Sequence, residues 1–325
     1  MRGCYRVLSF FFLLLIWINA AGAQNSRASG GDFSKATQPL TKVPSGVILV
    51  KGAWSASSDS TAVPERGLVS GGVYKNEYFG LSYPLPNGWG EEFEGPPPSD
   101  SGRYVLAQLQ AATGATRAQL LVSAQDMFFS NAPVDNAFQL ASYEKDNLQP
   151  DYKAELPVTQ TKIAGEPFSF FAYWSPVAQL HWYVLGTEIR CHTLEFVFTS
   201  HDTKLLQSLV LQLNKMSLPA AATGFPVCIK DYAETRQLIR RVDPIFTEHW
   251  FNPVPVRIII DAHGMVKHIH FLSAFPDQQK AITDALKQWK FKPYLDRGKV
   301  VEVETGVMFG RTTSGRSVRA GAAVD

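Results

Sequence analysis

Residues 256–272 read VRIIIDAHGMVKHIHFL, and this stretch decides the fold of the C-terminal part of the chain. Val256 to Asp261 is an apolar run around a single arginine, the length of one strand. Val266 to Leu272 is a second such run, with Asp261-Ala262-His263-Gly264 between the two. A glycine there suits the left-handed position of a short hairpin loop, so the stretch predicts two antiparallel strands. Downstream, Pro276 and Asp277 open a helix whose Ala281, Ile282, Ala285, Leu286 and Trp289 share one face, and Pro293 ends it. A last strand over 300–309 is expected to bury Val301, Val303, Thr305, Val307 and Phe309 and to expose Glu302, Glu304 and Met308. Upstream, near Gly224, a helix carrying Arg236, Leu238, Ile239, Arg240 and Arg241 is expected to begin the unit. The pattern predicts an antiparallel sheet packed with helices, α+β.

The block before it follows the same architecture. Phe79, Leu81, Tyr83 and Leu85 alternate with small or polar residues until Pro86 and Asn87-Gly88 end the run, the mark of a half-buried strand and a turn. Further strands are expected at 104–110, 119–124, 168–174, 181–186 and 192–199. One helix is expected over 134–147. Another follows Ser200, which serves as N-cap, with Leu205, Leu209 and Leu213 on one face. The expected organisation is a signal peptide over 1–23, a flexible leader over 24–70, a first domain over 71–220, a second over 224–310 and a disordered tail over 311–325.

Two family resemblances attach to these residues. Tyr78-Phe79-Gly80-Leu81-Ser82-Tyr83-Pro84 followed by Trp89 resembles the opening of the PsbP-like fold, a similarity that extends over 72–218 and implies no chemistry by itself. Arg257 through Asp261, Gly264-x-Val266-x-x-Ile269, Ser273-Ala274, Trp289-Lys290-Phe291-x-Pro293, Gly298-x-x-Val301 and Val307-x-Phe309 resemble the TonB carboxy-terminal domain over about 225–310. Gly224-Phe225-Pro226 stands where that family has Gln-Pro-x-Tyr-Pro. The resemblance implies a periplasmic module that pairs its edge strand with a short peptide of an outer-membrane transporter.

Composition places the chain in the cell. Its 325 residues are 45% hydrophobic and 18% charged, which excludes a coiled coil and a mostly disordered chain. Arg2 and Arg6 precede an apolar run over 7–18, too short to span a bilayer, and Ala21-Gly22-Ala23 supplies a cleavage site with Gln24 as the new N-terminus. The protein is therefore expected to be periplasmic or secreted, with membrane contact only indirect. Cleavage would leave 29 basic and 29 acidic residues. A balance of zero does not point to nucleic acid. Before Gly224 there are then 14 basic and 18 acidic residues, and from it onward 15 and 11, so the halves carry −4 and +4. Opposite charge favours their docking.

The residues with chemical potential are few. After cleavage Cys191 and Cys228 remain; an oxidising compartment would allow them to pair, and two free thiols are the alternative. His268 and His270, two apart on a strand, share one face and are candidate metal ligands with His263 or His249, the alternative being a plain solvated face. Cys191 and His192 are neighbours on a strand and point to opposite faces, which argues against a thiol–imidazole pair. Arg236, Arg240 and Arg241 are a candidate grip for an acidic partner. Phe168, Phe170, Phe171, Tyr173, Trp174, Trp182 and Tyr183 are expected in a core rather than a ligand groove. No hydrolase elbow, phosphate loop or dinucleotide fingerprint occurs. The expected function is that of a non-catalytic envelope interaction protein with no cofactor. It would bind a partner through the edge formed by Val300, Val301, Glu302, Val303, Glu304, Thr305, Gly306, Val307, Met308 and Phe309, with Glu302 and Glu304 guarding that edge. The alternatives are a TonB-type transducer or transport accessory, if the N-terminal segment stays in the membrane, and a metal-binding or hydrolytic enzyme using His268 and His270.

Overall fold

The computed structural model describes residues 53–65, 67–93, 98–99, 101–111, 118–219, 225–234, 237–247 and 252–310. The expected signal segment, the apolar residues 47–50, Gly224, Arg236, His249 and the tail over 311–325 lie outside the described residues.

In chain order the strands and helices begin with β1 (Trp54–Ser57), β2 (Gly67–Ser70), β3 (Val73–Asn76), β4 (Leu81–Pro84), β5 (Trp89–Phe93), β6 (Arg103–Ala111), β7 (Ala118–Asp126) and α1 (Ala137–Asp146). Then come β8 (Lys153–Ile163), β9 (Glu166–Ser175), β10 (Leu180–Ile189), β11 (His192–Ser200) and α2 (Thr203–Gln212). The C-terminal part holds β12 (Val227–Cys228), β13 (Leu238–Arg240), β14 (Val254–Ile260), β15 (Val266–Ala274) and α3 (Pro276–Leu286). It ends with β16 (Lys290–Phe291), β17 (Tyr294–Asp296), β18 (Lys299–Val301) and β19 (Val303–Phe309). The result is a sheet-rich α+β molecule.

The first unit is a seven-stranded sheet in the order β5-β6-β7-β11-β10-β9-β8, all pairs antiparallel. On one face, β11 alternation sends Leu194, Phe196 and Phe198 into a core shared with Leu120, Val122 and Leu185. Helix α2 and the 3-10 turn that follows it cover that face with Leu206, Leu209 and Leu213, spaced three and four apart as one helical stripe requires. Each such fully buried side chain contributes about 1.5–3 kcal/mol. Asp202, rather than Ser200, caps α2: its Oδ1 accepts from the amides of Lys204 at 2.9 Å and Leu205 at 3.2 Å. Helix α1 lies on the opposite face, where Ala141 packs against Phe171 and Val184. The three-stranded meander β2-β3-β4 closes the main core with Tyr74, Phe79, Leu81 and Tyr83.

The second unit is a five-stranded sheet in the order β1-β15-β14-β19-β12. The β14–β15 hairpin turns at Gly264, whose φ is +76° and whose missing Cβ leaves room for the Phe291 carbonyl. Helix α3 buries Ile282, Ala285 and Leu286, and Trp289 follows it into the same core.

Several expectations are corrected. The segment around Leu238 and Ile239 is strand β13, paired with β16, and not a helix. The last strand is broken into β18, which pairs with β17, and β19. Most of all, β19 is not a free edge where it begins. It pairs with β14 along its whole length and takes β12 in parallel at Val303 and Glu304 on its other side. Part of the expected leader is ordered as well: β1 pairs with β15 and forms the outer edge of this second sheet. Among the described residues no helix is long and apolar enough to cross a membrane.

Candidate functional site

The ionisable side chains with the most unusual surroundings meet where the two units touch. Asp126 ends β7; Arg190 and Cys191 form the β10–β11 turn, both at positive φ. Arg257 comes from the middle of β14 and Glu304 from β19, directly across from Ile259. Arg257 donates from Nη1 to Asp126 Oδ2 at 2.5 Å, lies 2.9 Å from Glu304 Oε1 through Nη2, and donates to the Arg190 carbonyl at 3.3 Å. The Tyr78 hydroxyl donates to Glu304 Oε1 at 3.1 Å, and Arg190 Nη2 lies 3.9 Å from Glu304 Oε2. The Arg190 guanidinium stacks 3.8 Å from the Tyr78 ring centroid and that of Arg257 4.7 Å from Phe128. The side chains of Asp126, Arg257 and Glu304 are each 3% exposed or less.

Burial at this depth opposes charge, so the pairing decides the outcome. Burial pushes Glu304 up, but Arg257 and Arg190 outweigh it and hold the carboxyl below its usual value. Burial lifts Asp126 against the pull of Arg257 and the Phe128 amide. His192 is enclosed by Tyr78, Phe79 and Tyr104 at edge-on angles and donates from Nδ1 to the Arg190 carbonyl at 2.6 Å. Burial, and then Arg257, hold it well below its usual value, so it is a neutral imidazole. The structure joins Cys191 to Cys228 in a disulfide with a Cα–Cα distance of 5.6 Å, tying the β10–β11 turn to β12. Gly306 completes the seam: a Cβ there would sit 2.6 Å from Phe128 Cβ, so the close backbone approach at Gly306 is made by the first unit.

A second cluster fastens the segment over 53–65, the strap, onto β15. His268 Nδ1 lies 2.9 and 3.0 Å from the two oxygens of Asp59, and His270 Nε2 lies 3.1 Å from Glu65 Oε1. Ser55 Oγ donates to Glu65 and sits 3.4 Å from His270 Nε2. A serine triad needs its carboxylate on the other imidazole nitrogen from the serine, and here both share Nε2. His268 and His270 are thus buried under the strap and bound to carboxylates, not on a solvated face. No group of three or more His, Cys, Asp or Glu able to hold a metal ion occurs among the described residues. His263 lies in the β14–β15 turn and is exposed.

A third cluster lies on the α1 side of the first sheet. Arg103 pairs closely with Glu195, which also accepts from Ser123 Oγ at 3.3 Å, and reaches Glu144 at 3.8 Å. Burial, and next to it the Glu195 charge, lift Glu144 to about 8. Tyr173 and Trp182 stack nearby, 5.1 Å between centroids, with Tyr152 edge-on to both.

The remaining expected site residues are dispersed. Arg240 donates to the Gln288 carbonyl at 2.8 Å; Arg241 pairs with Asp243 at 3.1 Å and covers the Trp289 ring. Val300 is exposed in the β17–β18 hairpin, and Glu302 pairs with Lys267 at 2.8 Å on the surface. Glu304 does not guard an outer face, because the first unit covers it. Asp59, Glu65, Asp126 and Arg190 were absent from the sequence reading; no local pattern marks them, since their partners lie far away in the chain.

No family model matches the chain, and no curated protein does. A solution structure of cyanobacterial PsbP (CyanoP) from Synechocystis sp. PCC 6803 is a weak structural neighbour. It is 15% identical, with 56% of this chain and 99% of that chain covered and a TM-score of 0.32.

Proposed function

We propose that this chain is an exported, non-catalytic interaction protein of the cell envelope, built of a PsbP-like unit and a TonB-like carboxy-terminal unit. It takes an extended segment of an envelope partner by strand addition. The observation that carries the reading is the seam. Asp126, Arg190, Arg257 and Glu304, the kind of residues that elsewhere build an active centre, are here spent on one another across the two units. A joint of that kind makes one rigid adaptor of two units. The strand–strand–helix–strand order of β14, β15, α3 and β19 accords with the TonB-like reading. The Cys191–Cys228 bridge accords with an oxidising compartment, and hence with export. At the β19 edge, β12 already occupies Val303 and Glu304.

The test is affinity capture with the full chain from an envelope extract, together with amino-terminal sequencing of the native protein. Saturable capture of an envelope protein by a chain beginning at Gln24 is the expected result. A retained N-terminal segment points to the transducer reading instead. Stoichiometric bound zinc with chelator-sensitive turnover overturns the non-catalytic reading.

A further inference from the structure

The outer edge of the second sheet is filled by the chain itself, and filled lightly. Strand β1 is four residues long and its register on β15 slips between Trp54 and Ala56. Ala56 is buried, in the core with Val256, Ile258 and Phe271. Ser58, Asp59, Ser60 and Thr61 are exposed. Main-chain pairing extends only as far as the Ser58 amide, which donates to the Ile269 carbonyl at 2.8 Å; the Ile269 amide is answered by the Ser58 hydroxyl at 3.0 Å. The rest of the hold is the imidazoles of His268 and His270 against the carboxylates of Asp59 and Glu65, together with the buried Val63 and Pro64 and a hydrogen bond that Asn76 Nδ2 donates to the Pro64 carbonyl at 2.7 Å. From Ser57 to Thr61 no side chain is fully buried, and such a stretch belongs to the low-stability end of a fold.

We propose that the β15 edge is a strand-accepting site and that the strap occupies it as an internal, displaceable ligand. The external ligand is an extended acidic segment of another protein. Its recognition chemistry is read from the strap: main-chain groups facing Ile269 to Ala274, a small residue at the Ala56 place, and a carboxylate three residues further on to meet His268. Ala56 admits only a small side chain because Val256, Ile258 and Phe271 close the core beneath it. Each imidazole already holds a carboxylate through a ring nitrogen, and an acidic partner would take over that hydrogen bond. The proposal rests on the strand-addition reading above and gives it a location. Strap and partner compete for one edge, so the apparent affinity for a partner is the intrinsic affinity multiplied by the fraction of time the strap is away.

The probe is a fluorescent synthetic peptide reproducing residues 53–65, added to the full chain. Asp59→Asn with Glu65→Gln in the chain weakens the internal strap, and capture of the unaltered peptide should rise about tenfold or more. The same two changes in the peptide should lower capture by the unaltered chain. A second variant, Trp54→Cys with Ala274→Cys, places cysteines opposite each other in register; oxidised, it should lock the strap and abolish capture. Capture unchanged by both variants overturns the proposal, as does no capture by the weakened chain. A strap-exchanged dimer of the weakened chain, seen by light scattering, makes a second copy the occupant and overturns the assignment to an external partner. An envelope partner captured equally by the locked variant sinks the site while leaving the proposed function standing. Peptide capture that behaves as expected, with no envelope partner, sinks the function and leaves the site.

Discussion

The seam and the strap use the same chemistry to opposite ends. Each ties together residues far apart in sequence through carboxylates and nitrogen cations or imidazoles: Asp126 with Arg257 in the seam, Asp59 with His268 in the strap. In the seam the carboxylates have almost no exposure, two arginines serve them, aromatic rings roof them, and a disulfide lies beside them. In the strap the Asp59 pair is partly solvated, Asp59 being 39% exposed, the Glu65–His270 pair is largely buried, and each carboxylate has one imidazole. Burial makes an ion pair costly to break from one side and exposure makes it cheap. Depth, not residue type, separates a weld from a clasp.

Replacing Arg257 by Met should show the largest effect. It leaves Asp126 and Glu304 buried without their main partner, a loss on the order of 3–5 kcal/mol in denaturant unfolding. A loss below about 1 kcal/mol would place the seam in the same class as the strap and end the contrast. Next is Cys228→Ser, which opens the bridge across a 37-residue separation. It should cost about 2–4 kcal/mol, with the unfolding midpoint of the unaltered protein falling equally on reduction.

Acid should act on both regions, with the strap yielding first. His192 and His268 are both held below their usual value of 6.5, in each case by burial foremost. An imidazole kept neutral by the fold contributes stability that is complete above about pH 6.5 and is lost as the pH falls below it. Asp59 is pulled down to about 2, its hydrogen bonds with Thr61 and His268 overcoming burial, so its contribution is complete above 3.8 and lost on the way to 2. Unfolding midpoints should therefore drop between pH 7.5 and 5. Hydrogen exchange should show the Ser58 and Ile269 amides losing protection before those of β14. Simultaneous loss would mean the strap is as firmly held as the seam. The smallest effect is expected for Asp59→Asn alone, below about 1 kcal/mol because the pair is partly solvated. Hydrogen exchange at Ser58 is the sensitive measurement there.

Legibility in the sequence followed burial within one element. The β14–β15 hairpin was readable because its isoleucines and Gly264 are local signals. Strand β8 was not, because it is an exposed edge strand whose Pro157 and polar residues on both faces give no alternation. Leu238 and Ile239 were read as helical from two adjacent apolar residues, too short a stretch to reveal a period. Glu304 shows the deeper limit. Alternation along 300–309 tells which residues share a face, but whether water or another unit covers that face depends on residues over 100 positions away, such as Asp126. The same holds for His268 and His270: their shared face was readable, and the strap that buries it was not.

Because β1 belongs to the second sheet, the chain's early residues complete a surface made by its late ones. Ser57 faces His270 across the β1–β15 ladder, a separation of 213 residues. At a synthesis rate of about 5–20 residues per second, the strap waits roughly 10–40 s for its strand to exist. Through that interval Ala56 and the two carboxylates of the strap have nowhere to dock, while the seven-stranded sheet between them can already close. The β1–β15 junction is therefore among the last to form. The protein spends the end of its maturation with its acceptor edge open, whatever segment then reaches it first.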